Sequence, residues 1–508
     1  MRTNTVDKRA QSAAHQVHTD RMPRFEQLAA DIRASIDTGV LRPGDRLPSI
    51  RESSLSRRLS ITTVKRAYGL MESLGLVESR PQSGYYVRLR LPLKRPAAPP
   101  TRPPLSAGED APEPDVRRLV QATLQAIGTR EVVPFGSPYP DPSLFPWGRL
   151  QRRMNEVARR INVWDPLHDI PPGQPELVRE IARRHLHNGL DVAKEEILVT
   201  AGATEALELC LQALSRPGGA IAVESPCHYG TLQTIKRLGL RAIEVPACAT
   251  QGIHVDALER ILGEQRVDAC LFMPNFQNPL GFVMSDERKR ALVALASRHQ
   301  LPIIENGVYN ELYFDAPPST LKTFDTEGLV LHCGSFSKCL AAGLRMGWIL
   351  PGRYTRQVET QKFINKAFAP GLQQMAVAKF LRQDGWDRQL RAVRRTLQQR
   401  RDIMLSMLRR FFPEGTRTSE PRGGYQLWVE LPASVDTLRL HREALDLGIA
   451  VAPGYIFGSG DEHRHCLRLN FSYAWTGETE AAFLRLARLA SIASVSGETL
   501  VTRPETRA

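Results

Sequence analysis

The chain has 508 residues, 42% hydrophobic and 24% charged, with a formal net charge of +14. That length exceeds one ordinary core, so two or three domains are expected, with the balance of a soluble globular protein. No run of eighteen apolar residues exists, which excludes a membrane-spanning helix, and the first twenty residues lack the apolar segment of a secretory signal. The seven cysteines (Cys210, Cys227, Cys248, Cys270, Cys333, Cys339, Cys466) are odd in number and form no CxxC pair. Reduced thiols in a cytoplasm and no metal site are the expectation.

The charge is uneven. Residues 1–95 carry 18 Lys and Arg against 9 Asp and Glu, the footprint of a polyanion partner. Residues 1–21 read as a disordered tail. Residues 22–90 read as one small module. In "RFEQLAADIRASIDTGVLRPG", Leu28, Ala29, Ile32 and Ile36 share a helical face, with Gly39 as a stop. "LPSIRESSLSRRL" predicts a short second helix. "SITTVKRAYGLMESLG" predicts a third, with Val64, Ala67, Tyr68, Met71 and Leu74 as its buried stripe, Ser60 or Thr62 as its cap and Gly75 as its end. "LVESRPQSGYYVRL" predicts two short strands around a turn at Pro81–Gly84. Three helices and a hairpin make a winged helix-turn-helix.

On that fold the third helix enters a DNA major groove, and its exposed side carries Thr62, Thr63, Lys65 and Arg66. Hydroxyls and cations are what base edges and phosphates require. Arg51, opening the second helix, is a candidate for guanine or phosphate. The wing tip, Gln82 to Gly84, can reach a minor groove or the backbone. "GVLRPGDRLPSIRESS" and "TTVKRAYGLMESLGLVESRPQSGYYV" resemble the GntR family of DNA-binding domains. The resemblance implies a dimer on a double-stranded operator. It departs at Ile61, where the family usually has arginine after Ser60, the serine that opens the recognition helix, and at Ser53-Ser54, where Leu-Ala is usual.

Residues 91–128 read as a linker. Between 92 and 114 lie eight prolines, which forbid helix and central strand and leave a semi-extended chain. Residues 129–495 then alternate strand-like runs ("EILVTAG", "GAIAVES", "ACLFMPN", "LPIIENG", "GLVLHCGSFSK", "RMGWILP") with helical ones. This is an α/β pattern, with ligands expected at strand ends. A small C-terminal subdomain is expected over about 365–495, and 496–508 as a tail.

The motifs at those ends suit pyridoxal 5'-phosphate (PLP), which needs an amine, donors for a dianionic phosphate, partners for its ring nitrogen and oxygen, and a flat group on its face. Lys338 in "GSFSKCLAAGLRMGW" supplies the amine. Ser335, Ser337 and Arg345 supply phosphate donors, joined by Ala203 and Thr204 at a helix start. Asn278 in "PNFQNPLG" can reach the ring oxygen, shared with Tyr309. His228 or Tyr229 in "ESPCHYG" offers the stacking face. Together with "RGGYQLWVELP" and "CLRLNFS", these motifs in this order resemble a fold type I, class I aminotransferase domain. The resemblance assigns Arg468 to a substrate α-carboxylate.

Asn306 departs from the family, which has aspartate there to keep the ring nitrogen protonated. Asparagine can bond that nitrogen but holds no proton on it, and strand alternation turns Glu305 away. The expectation is therefore a cofactor bound at Lys338 with weak or absent transaminase turnover. A GntR-type module, a proline-rich linker and an aminotransferase-like domain resemble the MocR subfamily of bacterial transcription regulators. The resemblance implies a cytoplasmic head-to-tail homodimer. It also implies a domain that senses an amine or amino acid through an aldimine, Arg468 holding the carboxylate, or that senses PLP itself. The competing expectation is an active aminotransferase carrying an accessory DNA-binding module.

Overall fold

A computed structural model of the chain describes residues 23–37, 41, 43–80, 83–88, 121, 124–125, 127–128, 132–160, 170–366 and 369–501. The expected N-terminal tail, the whole proline-rich stretch 92–114, Gly39 and Gln82 lie outside these residues. Contacts divide the chain into two compact units, residues 1–95 and 96–508.

The first unit is built from α1 (Arg24–Asp37), α2 (Ile50–Arg57), α3 (Ile61–Ser73) and the hairpin β1 (Val77–Arg80) and β2 (Gly84–Val87). The strands pair antiparallel, Val77 opposite Val87 and Arg80 opposite Gly84. Ser49 opens α2 with a reciprocal capping box: its hydroxyl accepts from the Glu52 N–H, and the Glu52 carboxylate accepts from the Ser49 N–H at 2.7 Å. Ser60, not Thr62, caps α3, accepting from the Thr63 N–H at 3.0 Å. The core gathers Leu28, Ala29, Ile32, Val64, Ala67, Tyr68 and Met71 with Leu47, Leu76 and Val87. Leu74, expected in this stripe, is 38% exposed. It is the C-cap, one residue past the last turn, and Leu76 fills the position instead. Ser53, which replaces the family's usual leucine, is buried with its hydroxyl 2.6 Å from that of Tyr68. The Tyr68 hydroxyl donates to the Pro48 carbonyl, so Ser53 is the donor to Tyr68.

In the second unit, α4 (Trp147–Ala158) and α5 (Pro175–His187) precede an eight-stranded sheet. Its strands and the helices between them are β3 (Leu198–Thr200), α6 (Ala203–Leu214), β4 (Ala220–Ser225), α7 (Tyr229–Arg237), β5 (Arg241–Cys248), β6 (Gly252–Ile253), α8 (Val255–Glu264), β7 (Ala269–Phe272), α9 (Asp286–His299), β8 (Ile303–Asn306), β9 (Val330–Ser335) and β10 (Gly347–Leu350). The order is β3-β10-β9-β8-β7-β4-β5-β6. β4, β5, β7, β8 and β9 are parallel, while β10 runs antiparallel to both its neighbours. Arg345 therefore enters at the N-terminal end of β10, which lies at the same sheet edge as the C-terminal ends of the parallel strands.

The smaller part follows: α10 (Thr355–Lys366), α11 (Gly371–Gln383), α12 (Trp386–Phe411), β11 (Arg417–Thr418), β12 (Gln426–Glu430), α13 (Thr437–Asp446), β13 (Ala452–Pro453), β14 (Cys466–Asn470) and α14 (Gly477–Val501). Its strands form an antiparallel sheet in the order β11-β12-β14-β13. Two boundaries differ from expectation. Leu124, inside the stretch read as linker, already packs on the large core, because no proline interrupts 115–133. And α14 runs to Val501, past the boundary set at 495, because the next proline is Pro504.

Candidate functional site

On the first unit, Thr62, Lys65 and Arg66 are exposed on α3, and Arg51 is exposed on α2. The Thr63 hydroxyl is 2.7 Å from that of Ser60, so these two satisfy each other and leave Thr62, Lys65 and Arg66 as the free polar face. The Arg66 guanidinium carbon rests over the Phe25 ring at 4.6 Å, while the residue stays exposed to water. Ile61, the first residue of α3, is 55% exposed. Gly84 sits at φ +105°, and a Cβ there would stand 3.4 Å from Arg46 Nε. Arg46 is exposed and bridges to Tyr86. It is a further cation at the wing that no motif singles out.

In the second unit, Lys338 follows β9, and its Nζ donates to the Pro138 carbonyl at 3.0 Å, 4.9 Å from the Tyr139 ring centre. Burial first, then the Arg468 and Arg345 guanidinium charges, bring the Lys338 ammonium down to about 7. Much of this amine is thus uncharged near neutrality, the form that attacks a carbonyl. Next to it the Ser337 hydroxyl is buried without a partner, whereas Ser335 donates to the Met346 carbonyl at 3.0 Å. Ser335 must therefore rotate to serve a phosphate. α6 begins at Ala203 and Thr204 after Gly202, whose φ of +95° favours glycine. A Cβ on Gly202 would stand 3.4 Å from the Arg345 guanidinium carbon. A helix N-terminus, an exposed arginine and a free hydroxyl thus flank the Lys338 loop. Glu205 in the first turn accepts from the Ala201 N–H, and its charge is balanced by buried Lys362 at 3.0 Å.

At the other side of Lys338, Arg468 is fully buried. It donates to Gly136 O at 2.6 Å and Asn278 Oδ1 at 3.3 Å, and its Nε has no partner. Asn278 Nδ2 lies 3.5 Å from the Tyr309 hydroxyl. Tyr309 meets Tyr425 edge-on at 5.2 Å, and Tyr425 donates to the same Pro138 carbonyl as Lys338, at 3.0 Å. Asn306, at the end of β8, is buried with Oδ1 unpartnered. Glu305 points to the opposite face, as alternation requires. There it accepts from the Leu321 and Lys322 N–H groups and lies 3.0 Å from His332 Nδ1. Against its burial, His332 and those donors hold its carboxyl below the usual range.

His228 and Tyr229 stack on each other, centroids 4.5 Å apart at 32°. Tyr229 is turned into the core against Phe457, and His228 is left half-buried above it. Burial, then the Arg468 and Lys338 charges, depress His228 to about 3, so its ring is neutral.

Sequence reasoning missed the segment Val133–Tyr139. It hydrogen-bonds along the small part, Gly136 N–H to Ala450 O and Asn470 N–H to Phe135 O, then crosses to Lys338. A Cβ on Gly136 would stand 2.4 Å from the Val451 backbone, so only glycine fits. Its signal was the dense Gly, Pro and aromatic content of "PFGSPYPDP". Among the described residues no cluster suits a metal ion, and no helix is long and apolar enough to cross a membrane.

The two units thus define a class: a winged helix-turn-helix joined to a fold type I aminotransferase-like domain. Residues 24–87 match the bacterial regulatory proteins of the gntR family, and residues 156–482 match aminotransferase class I and II, whose members use PLP. The chain is 39% identical to the uncharacterized HTH-type transcriptional regulator YdcR of Escherichia coli, over 92% of this chain and 99% of that protein. It is 37% identical to YjiR of the same organism, over 88% and 95%. Among solved structures it resembles an archaeal alanine:glyoxylate aminotransferase, at 29% identity and TM-score 0.69, covering 74% of this chain and 95% of that one. The chain belongs to the MocR-type HTH transcriptional regulators, DNA-binding proteins with an aminotransferase-like domain.

Proposed function

We propose that the large domain holds pyridoxal 5'-phosphate at Lys338 and that a small amine or amino acid, taken up there, changes how the winged helix binds its operator. The observation that carries this is the set of unmet buried polar atoms around Lys338, namely Ser337 Oγ, Asn306 Oδ1 and Arg468 Nε. Buried polar atoms are ordinarily satisfied; Ser337 Oγ matches a phosphate, Arg468 Nε a carboxylate, and the Asn306 amide, turned so that Nδ2 donates, an unprotonated pyridine nitrogen. When bound, the cofactor supplies an aldehyde that joins reversibly to one amine or another.

The chain's own residues do the rest. Ser337, Arg345 and the N–H groups of Ala203 and Thr204 hold the phosphate. Asn278 and Tyr309 set the ring oxygen, and neutral His228 covers the ring face. Arg468 grips the ligand carboxylate with a fork that a lysine does not offer. Asn306 contacts the ring nitrogen without charge, so a bound amine is held rather than turned over. This favours a sensor over a working aminotransferase. The acting form is a cytoplasmic homodimer on double-stranded DNA.

The test is the visible absorption spectrum of the purified protein beside Lys338→Ala, before and after a panel of amino acids. A band in the wild type alone, shifted by an amino acid without keto-acid release, supports the sensor. Steady keto-acid production supports the enzyme. No band after adding PLP sinks both.

A further inference from the structure

Gln426 has no place in the site described so far. It is 3% exposed, and neither its Oε1 nor its Nε2 has a hydrogen-bond partner. A carboxamide normally uses several of its four donor and acceptor positions, and a buried one that uses none is an exception that needs a reason. The strand register supplies the direction. In the β12–β14 pair Gln426 stands opposite Asn470, and Trp428 stands opposite Arg468. Directly opposed residues share a sheet face, as do residues two apart on one strand. Gln426 and Arg468 therefore leave the small sheet on the same face, as diagonal neighbours about 7–8 Å apart.

That face meets Asn278, which accepts from Arg468, and Tyr309, whose hydroxyl is 3.5 Å from Asn278 Nδ2. Burial pushes the Tyr309 hydroxyl up, while Tyr425 first, then Arg468, Asn278 and Gln426, draw it back, so the Gln426 amide lies near it. The two groups nevertheless do not form a hydrogen bond of ordinary geometry. An open donor and an open acceptor thus stand one amino-acid length from the guanidinium that takes a carboxylate.

We infer that Gln426 sets the specificity of the site: it reads the side chain of the ligand whose α-carboxylate rests on Arg468. The ligand class is an amino acid whose side chain both donates and accepts, a carboxamide or a hydroxyl, two or three carbons from its α-carbon. A branched or linear aliphatic side chain of the same size leaves the Gln426 amide unpaired and is rejected. This rests on the proposed ligand role of Arg468.

The experiment titrates full-length, PLP-loaded protein with L-glutamine, L-asparagine, L-leucine and L-norleucine. Binding is followed by the visible spectrum and independently by calorimetry, in the wild type, Gln426→Leu and Gln426→Met. The wild type is expected to bind the polar member of each pair about a hundredfold more tightly, the effect of leaving one buried polar group unpaired by the analogue. Either variant is expected to abolish or reverse that preference while keeping its absorption band. Equal binding of glutamine and norleucine by the wild type overturns the inference and leaves the Arg468 role standing. So does a uniform loss for all four ligands in both variants. No binding of any amino acid by the wild type removes the Arg468 role and the inference together. If neither variant folds, the wild-type comparison alone decides.

Discussion

The two units keep their functional groups in opposite ways. In the winged helix the buried hydroxyls Ser53 and Tyr68 satisfy each other and Pro48 within an otherwise apolar core, and the cations Arg51, Lys65 and Arg66 are exposed to water. In the large domain the functional groups are inside, and several are unsatisfied. A polyanion can be met on a surface, where long-range attraction does much of the work. A small ligand must be enclosed, so its partners are buried before it arrives. Surface charge is therefore the sign of function in one unit, and unmet burial in the other.

The sharpest way to break this contrast is to restore a charge inside. Asn306→Asp is expected to raise keto-acid production from amino donors by on the order of a hundredfold, through a protonated ring nitrogen; an unchanged rate, measured at saturating PLP, removes Asn306 as the cause of weak turnover. The acidity of Lys338 gives a second lever. Its folded pKa lies at about 7, below the ordinary lysine value, so the reactive neutral amine grows with pH only up to that point. The rate of PLP uptake by apoprotein is expected to rise about tenfold per pH unit below pH 7 and to level off above it. A rise continuing toward pH 10, seen by stopped-flow absorbance, means the amine is solvated.

Smaller effects sharpen the comparison. Arg468→Lys keeps the charge and loses the fork, and is expected to weaken amino-acid binding about tenfold by calorimetry with the absorption band retained. Tyr68→Phe strands the Ser53 hydroxyl and is expected to cost the winged helix about 1–3 kcal/mol in denaturant titration, with the large domain's transition unmoved. Smallest is Lys65→Ala. It is expected to weaken DNA of any sequence alike and to lower the salt slope of binding by about one. A loss confined to one operator base pair would instead make Lys65 a base reader.

Much of this contrast was legible in the sequence. Each strand carrying a cofactor motif was readable from short β-rich runs, and the opposite facing of Glu305 and Asn306 follows from strand alternation alone. The order of His228 and Tyr229 was not, because two adjacent aromatic rings after a turn give no period, and only packing against Phe457 turns Tyr229 inward. Arg46 was missed because it lies between elements. The partners of Lys338 and Arg468 were missed for a different reason. Pro138 is 200 residues from Lys338 in sequence, and Gly136 is 332 from Arg468. Carbonyl acceptors belong to no motif, since every residue has one. Gln426 sits inside "RGGYQLWVELP" like any strand residue, and only its lack of partners in three dimensions marks it.

The segment Val133–Tyr139 ties the Lys338 loop to the small part of the large domain. It runs along the small part through Phe135 and Gly136. It is also where the Pro138 carbonyl accepts hydrogen bonds from Lys338 and from Tyr425. Whatever displaces the lysine amine takes a donor from that carbonyl and slackens one of its two moorings. A change at that amine is thus felt by a backbone segment that also hydrogen-bonds along the small part of the same domain.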